Sequence, residues 1–306
     1  MRIKSHLLPF GTIFLLLLAA CGSGTSQPAG ESQPVAQEPA ATVTATPPEA
    51  SALEQESGAA QDLSQTPEPA PQETGVEPPS EEAAGPNLEP VVEAVTIEAA
   101  DGLALHATYY GPGGTAPFPG VILLHMLGSN RQVWDEVGFA SLLADNGYAV
   151  LAVDMRGHGE TGSSRDWVQA VDDMQRVWDY FAGRSEVAAE QTAVVGASIG
   201  ANMALITGVN KPAASGVVLL SPGLDYRRVT TGDKMALYGE RPILLVASKE
   251  DGYAADSVRT LADLAQGEAE LQMYNGAGHG TNMFGPQPDL ASLILDWLNR
   301  HVRAAD

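Results

Sequence analysis

Six short runs of Val, Leu and Ile recur through the C-terminal two thirds of the chain: PGVILLH (119–125), YAVLAVD (148–154), TAVVGA (192–197), SGVVLLS (215–221), PILLVAS (242–248) and AELQMYN (269–275). Most lack the apolar/polar alternation of a strand that wets one face, so they read as strands buried on both faces of a parallel sheet. Segments of helical spacing separate them, at 132–145, 165–182, 199–209, 254–266 and 288–303. In the second of these, Trp167, Val171, Met174, Trp178 and Phe181 fall three or four apart, an apolar stripe for core packing. Ahead of the six runs, VVEAVTIEA (91–99) and LALHATYYG (103–111) flank Ala-Asp-Gly and predict an antiparallel hairpin. Eight strands with helices in the later connections predict a three-layer α/β domain over 91–306, with an eight-stranded, mostly parallel sheet and helices on both faces.

The first 90 residues have a different character. Arg2 and Lys4 precede the apolar run Ile13–Leu18, and Leu18-Ala19-Ala20 leads to Cys21, the only cysteine. A basic start, a short apolar middle and small residues before a boundary predict a secretory signal over 1–20. Ending on a cysteine, it resembles the lipobox of bacterial lipoproteins. That likeness implies lipidation at Cys21 and a membrane-held protein of the bacterial cell envelope, outside the cytoplasm. Residues 22–90 are built of Pro, Glu, Ala, Gln, Ser, Thr and Gly, with twelve acidic residues and no Lys or Arg. Such a composition offers too little apolar surface to offset ordering entropy, so 21–90 is expected to be a disordered tether with a reach of roughly 45 Å. The whole chain carries 38 Asp and Glu against 16 Lys and Arg, a net charge of −22. An excess of acid in the domain as well argues against a nucleic-acid partner, because phosphate-neutralising charge is missing. With one cysteine, no disulfide framework can form.

The stretch VVGASIGANMAL (194–205) sets Ser198 between Gly196 and Gly200, after a strand and before a helix. Gly-x-Ser-x-Gly in that context is a nucleophile elbow, a sharp turn that lifts the hydroxyl above the sheet edge. A serine hydroxyl needs a base, and the base needs an orienting group. His279 lies in GAGHGTNMF after the last strand, at the carboxyl edge where parallel-sheet enzymes build their sites. Asp251 follows PILLVAS by three residues and is the expected acid, with Glu250 and Asp225 as alternatives.

The order Ser198, Asp251, His279, each after a later strand, resembles the α/β-hydrolase superfamily over 91–306, most closely its small lidless, dienelactone-hydrolase-like esterases. VILLHMLGSNRQVW (121–134) is similar to the oxyanion loop after the third strand of that family, and AVDMRGHGET (152–161) to its Asp-x-Arg-Gly-His-Gly turn. Met126 departs from the glycine many members have after this histidine. The resemblance implies an oxyanion hole formed by the backbone N–H of Ile199 and of Met126 or Leu127, no cofactor and no metal. His125, Arg156 and His158 are expected to be structural, and a metal site of His125, Asp154 and His158 lacks familiar ligand spacing. The connection at about 222–241 has room for a helix and little more, so the site is expected to be open. The resulting expectation is a serine hydrolase acting on small or medium carboxylic esters through an acyl-enzyme. A peptidase, thioesterase or acyltransferase on the same triad, and a non-catalytic binding lipoprotein, are the alternatives.

Overall fold

The computed structural model describes residues 86–303. The signal, Cys21 and nearly all of the tether lie outside the described residues. Asn87–Leu88 pair antiparallel with Gly114–Thr115, so the domain takes in residues on the tether side of the 90/91 boundary.

Every one of the eight runs forms a strand of one sheet: β1 (Val91–Glu98), β2 (Ala104–Gly111), β3 (Phe118–Leu124), β4 (Ala149–Val153), β5 (Val187–Ala197), β6 (Ala214–Leu220), β7 (Ile243–Ser248) and β8 (Ala269–Tyr274). The spatial order is β1-β2-β4-β3-β5-β6-β7-β8. β2 runs antiparallel to both β1 and β4, and all other pairs are parallel. At the β1–β2 turn, Gly102 N–H donates to the Ala99 carbonyl (3.0 Å) and Ala99 N–H to that of Leu103 (2.9 Å).

The unbroken apolar runs are explained by the two cores. Along β3, Val121 and Leu123 enter one cluster while Ile122 and Leu124 enter the other. One face is covered by α2 (Trp167–Ala182), α3 (Ile199–Asn210), α4 (Gly232–Tyr238) and α5 (Gly252–Leu264); the opposite face is covered by α1 (Phe139–Asp145) and α6 (Leu290–His301). In α2 the predicted stripe buries Met174, Trp178 and Phe181, with Trp167 and Val171 packed at its edge. Asp166 caps that helix, accepting the N–H groups of Val168 (3.0 Å) and Gln169 (3.1 Å).

One element differs from the sequence pattern. The segment 132–145 is a single turn, Val133–Glu136, followed by a separate α1. Gly138 between them has φ +71°, which a right-handed helix cannot contain, and the bend lets both Trp134 and Phe139 bury fully.

Candidate active site

Ser198 occupies the single residue between β5 and α3, with φ 56° and ψ −120°, a conformation that costs a non-glycine residue roughly 1–3 kcal/mol. Its N–H donates to the Leu220 carbonyl at the end of β6 (2.8 Å), tying the turn to the neighbouring strand. The flanking glycines are required by contact. A Cβ on Gly196 would overlap the Gly200 carbonyl, and one on Gly200 would overlap the carbonyls of Leu124 and His125 at the end of β3. Ser198 is buried, 7% exposed as a whole residue.

His279 sits in the loop after β8. Its Nε2 lies 2.7 Å from Ser198 Oγ and its Nδ1 2.6 Å from Asp251 Oδ2. All three residues named from the sequence therefore meet in one hydrogen-bonded line. Glu250, the alternative acid, accepts hydrogen bonds from the Ser248 hydroxyl (2.7 Å) and the Gly276 N–H (2.6 Å), which hold its carboxyl below the usual carboxylate range. Asp225 instead accepts the Arg228 N–H across a hairpin turn (2.7 Å).

The histidine loop is held at several points that the sequence did not single out. Ser248 Oγ accepts the Ala277 N–H (3.0 Å) and Ser221 Oγ the Gly280 N–H (3.0 Å). Thr281 Oγ1 donates to Met126 Sδ at 3.6 Å, so the methionine that departs from the family pattern packs against the His279 loop. Tyr226 places its ring edge-on to His279, 6.3 Å between centroids, and burial together with the Asp251 charge pushes its phenol up to about 12. Asn202 is fully buried and joins α3 to the β6–β7 connection through Gly223 N–H (3.0 Å) and the carbonyls of Gly223 (2.9 Å) and Val229 (2.6 Å). Ser221, Tyr226 and Thr281 lie in connections, Ser248 ends β7 and Asn202 sits in α3, and no local pattern in the sequence marked any of them.

Ile199 opens α3, so its N–H lacks an intrahelical acceptor, and Met126 and Leu127 are half-buried in the loop after β3. His125 anchors that loop, with Nδ1–H donating to the Met126 carbonyl (2.8 Å) and Nε2 accepting the Met155 N–H (3.1 Å). Burial pushes His125 down to about 4, so the ring is neutral and its tautomer is set by these two bonds. Asp154 accepts the N–H groups of Arg131 (2.7 Å) and Glu160 (2.8 Å) and pairs with the Arg131 guanidinium. Arg156 bridges Asp101 and Asp173 through four hydrogen bonds. Both ring nitrogens of His125 and both carboxylate oxygens of Asp154 are thus taken up by protein partners, whereas His158 engages the Arg156 carbonyl through Nδ1 (3.1 Å) and leaves its buried Nε2 without a partner.

Residues 116–239 match the family described as serine aminopeptidase, S33. No curated protein matches the chain. Among solved structures, the chain is similar to DcsB in complex with its substrate analogue (TM-score 0.63, 11% identity, 70% of this chain and 100% of that one). It is also similar to dienelactone hydrolase from Anabaena variabilis (TM-score 0.59, 19% identity, 71% and 100%). A third likeness is to the thermostable carboxylesterase EstE1 from a metagenomic library (TM-score 0.59, 18% identity, 72% and 91%). Identities this low speak for architecture, and on that ground the domain of this chain is an α/β hydrolase in fold.

Proposed function

We propose that the protein is a serine hydrolase that cleaves small or medium carboxylic esters. The observation that carries this reading is the unbroken line Ser198–His279–Asp251, with both contacts at hydrogen-bond distance. Ser198 Oγ attacks the ester carbonyl while His279 Nε2 takes its proton. Asp251 holds Nδ1–H and stabilises the imidazolium that forms. The carbonyl oxygen, now an anion, is received by the N–H of Ile199 and of Met126 or Leu127, each such donor contributing about 10²–10³ in turnover. His279 then returns the proton to the leaving alcohol, and water repeats the cycle on the acyl-enzyme. Neighbours described as a carboxylesterase, esterases and an acetyl xylan esterase support ester cleavage.

The aminopeptidase description of the matching family favours a second reading, cleavage of an amide on the same residues. An aminopeptidase must hold a substrate ammonium on free carboxylates, and Asp251 and Glu250 are both already engaged. From the sequence alone, we also propose that Cys21 carries lipid and holds the enzyme at the bacterial envelope.

A fluorophosphonate probe, with matched ester, thioester and amide substrates, tests the reading. Ser198→Ala is expected to abolish labelling and to lower ester turnover by about 10³-fold or more, with the circular dichroism spectrum unchanged. Labelling that persists in this variant, or an amide cleaved faster than its ester, overturns it.

A further inference from the structure

A cavity of about 730 Å³ in the domain does not include Ser198, His279 or Asp251 in its lining. It lies between the start of α2, the far half of α3 and the hairpin that leads into α4. Ile206 in its wall is eight residues down α3 from Ser198, about 12 Å along the helix axis. The volume is in the range of small-molecule sites.

The arginines of this cavity differ from those of the rest of the domain, whereas its lysine, Lys234, is paired with Asp233 (2.9 Å). Among the described residues, eight arginine side chains have a carboxylate or carbonyl partner: Arg131, Arg156, Arg176, Arg184, Arg241, Arg259, Arg300 and Arg303. The guanidiniums of Arg165, Arg227 and Arg228 are the exceptions, and all three line this cavity together with Lys234. In a chain with 38 acidic residues and 16 basic ones, leaving three arginines of one cavity unpaired is the opposite of what composition alone would produce. The one acid in the lining, Asp166, is occupied in capping α2.

Backbone strain at the same place points the same way. Asp225–Tyr226 pair with Val229–Thr230 around a two-residue loop, Arg227-Arg228, whose φ values are 58° and 69°. Two successive positive φ angles are the type I′ geometry that favours Asn-Gly. Arginine at both positions forgoes that preference and presents two charges at the cavity rim. The lining also has apolar residues, Trp167, Val171, Ile206 and Val209, and Val168 and Leu237 in it remain 84% and 64% exposed.

We propose that this cavity binds a single-chain anionic amphiphile, with its carboxylate or phosphate head on Arg165, Arg227 and Arg228 and its alkyl chain along the apolar lining residues. Guanidinium forks match both head groups, and these residues supply the desolvated surface an alkyl chain requires. The inference does not depend on the ester-cleavage reading.

The test uses the full chain and titrates dodecanoate, dodecyl phosphate, dodecanol and dodecyltrimethylammonium below their micelle concentrations. Both anions are expected to bind, with the neutral and cationic chains weaker by about tenfold or more. Hexanoate is expected to bind at least about tenfold more weakly than dodecanoate, having less chain to bury. The ratio between carboxylate and phosphate identifies the natural head group. Replacing the turn by Asn-Gly, Arg227→Asn with Arg228→Gly, is expected to weaken dodecanoate about tenfold or more while leaving the melting temperature equal or higher. Arg165→Gln, in the segment before α2, weakens it without touching the hairpin. Equal binding of dodecanol, unchanged affinity in both variants, or a diazirine-bearing fatty acid crosslinking at 126–127 or 279–284 instead of the cavity wall overturns the proposal.

Discussion

Glu250 and Asp251 are adjacent in the chain, carry the same charge and do unlike things. Asp251 turns its carboxylate to His279, 2.6 Å away, while Glu250 turns to Ser248 and the Gly276 N–H. Asp251→Asn is therefore expected to favour the wrong imidazole tautomer and lower ester turnover by about 10⁴. Glu250→Gln keeps a carbonyl oxygen for Gly276 and is expected to change turnover by less than about tenfold. Steady-state kinetics on one soluble ester, with both variants side by side, check the assignment, and a reversed ranking refutes it. At this scale local pattern and chain order singled out Ser198 from its elbow and His279 and Asp251 from the strands they follow, and the fold brings the three within hydrogen-bond distance. Ser221, Ser248, Asn202 and Tyr226 escaped because each acts through a partner distant in sequence; Ser221 meets Gly280 only after β6 and the β8 loop have been brought together.

Between β3, β5 and α3 the backbones are packed with no space for a side chain at Gly200. A methyl there would overlap the carbonyls of Leu124 and His125, so α3 would have to lift from the end of β3. Gly200→Ala is expected to lower the melting temperature by several degrees, since overpacking costs about 1–3 kcal/mol in a domain of this size. Ester turnover should fall with it, because the shifted helix carries Ile199 and Ser198 away from His279. Calorimetry and kinetics on the same preparation test this, and a variant with wild-type stability would show that the two elements have room to separate. The sequence marked the elements themselves clearly, because buried parallel strands leave short continuous apolar runs and amphipathic helices a 3.6-residue periodicity. It missed the break at Gly138, where the apolar spacing runs on through a residue of φ +71°, and the small hairpin of Asp225–Thr230, whose two arginines carry none of the usual turn signals.

At the scale of the whole domain, two histidines among the described residues are buried where they cannot readily take up a proton. The rings of His125 and His158 stand edge to face with centroids 4.9 Å apart, and burial lowers the proton affinity of both. His125 would titrate near 6.5 when exposed and titrates at about 4 in the folded domain. Between those values the unfolded chain binds a proton that the folded one refuses, so falling pH favours unfolding. The stability is fully present above about 6.5 and is lost as the pH falls towards 4, a difference of up to about 3 kcal/mol for His125. The Arg156 partner Asp101, its carboxyl held at about 2, adds its own loss only in stronger acid, which leaves the higher window to the histidines. Urea titrations from pH 8 to pH 4.5 are expected to show stability falling steadily below about pH 6.5. His125→Gln can still donate to the Met126 carbonyl and accept from Met155 but has no proton to gain. Its stability should be lower than wild type at pH 8 and its decline towards pH 4.5 shallower, the remaining slope belonging to His158. A wild-type curve that stays level across this window, or a variant that declines as steeply, would mean that the protonated ring finds a place in the folded domain.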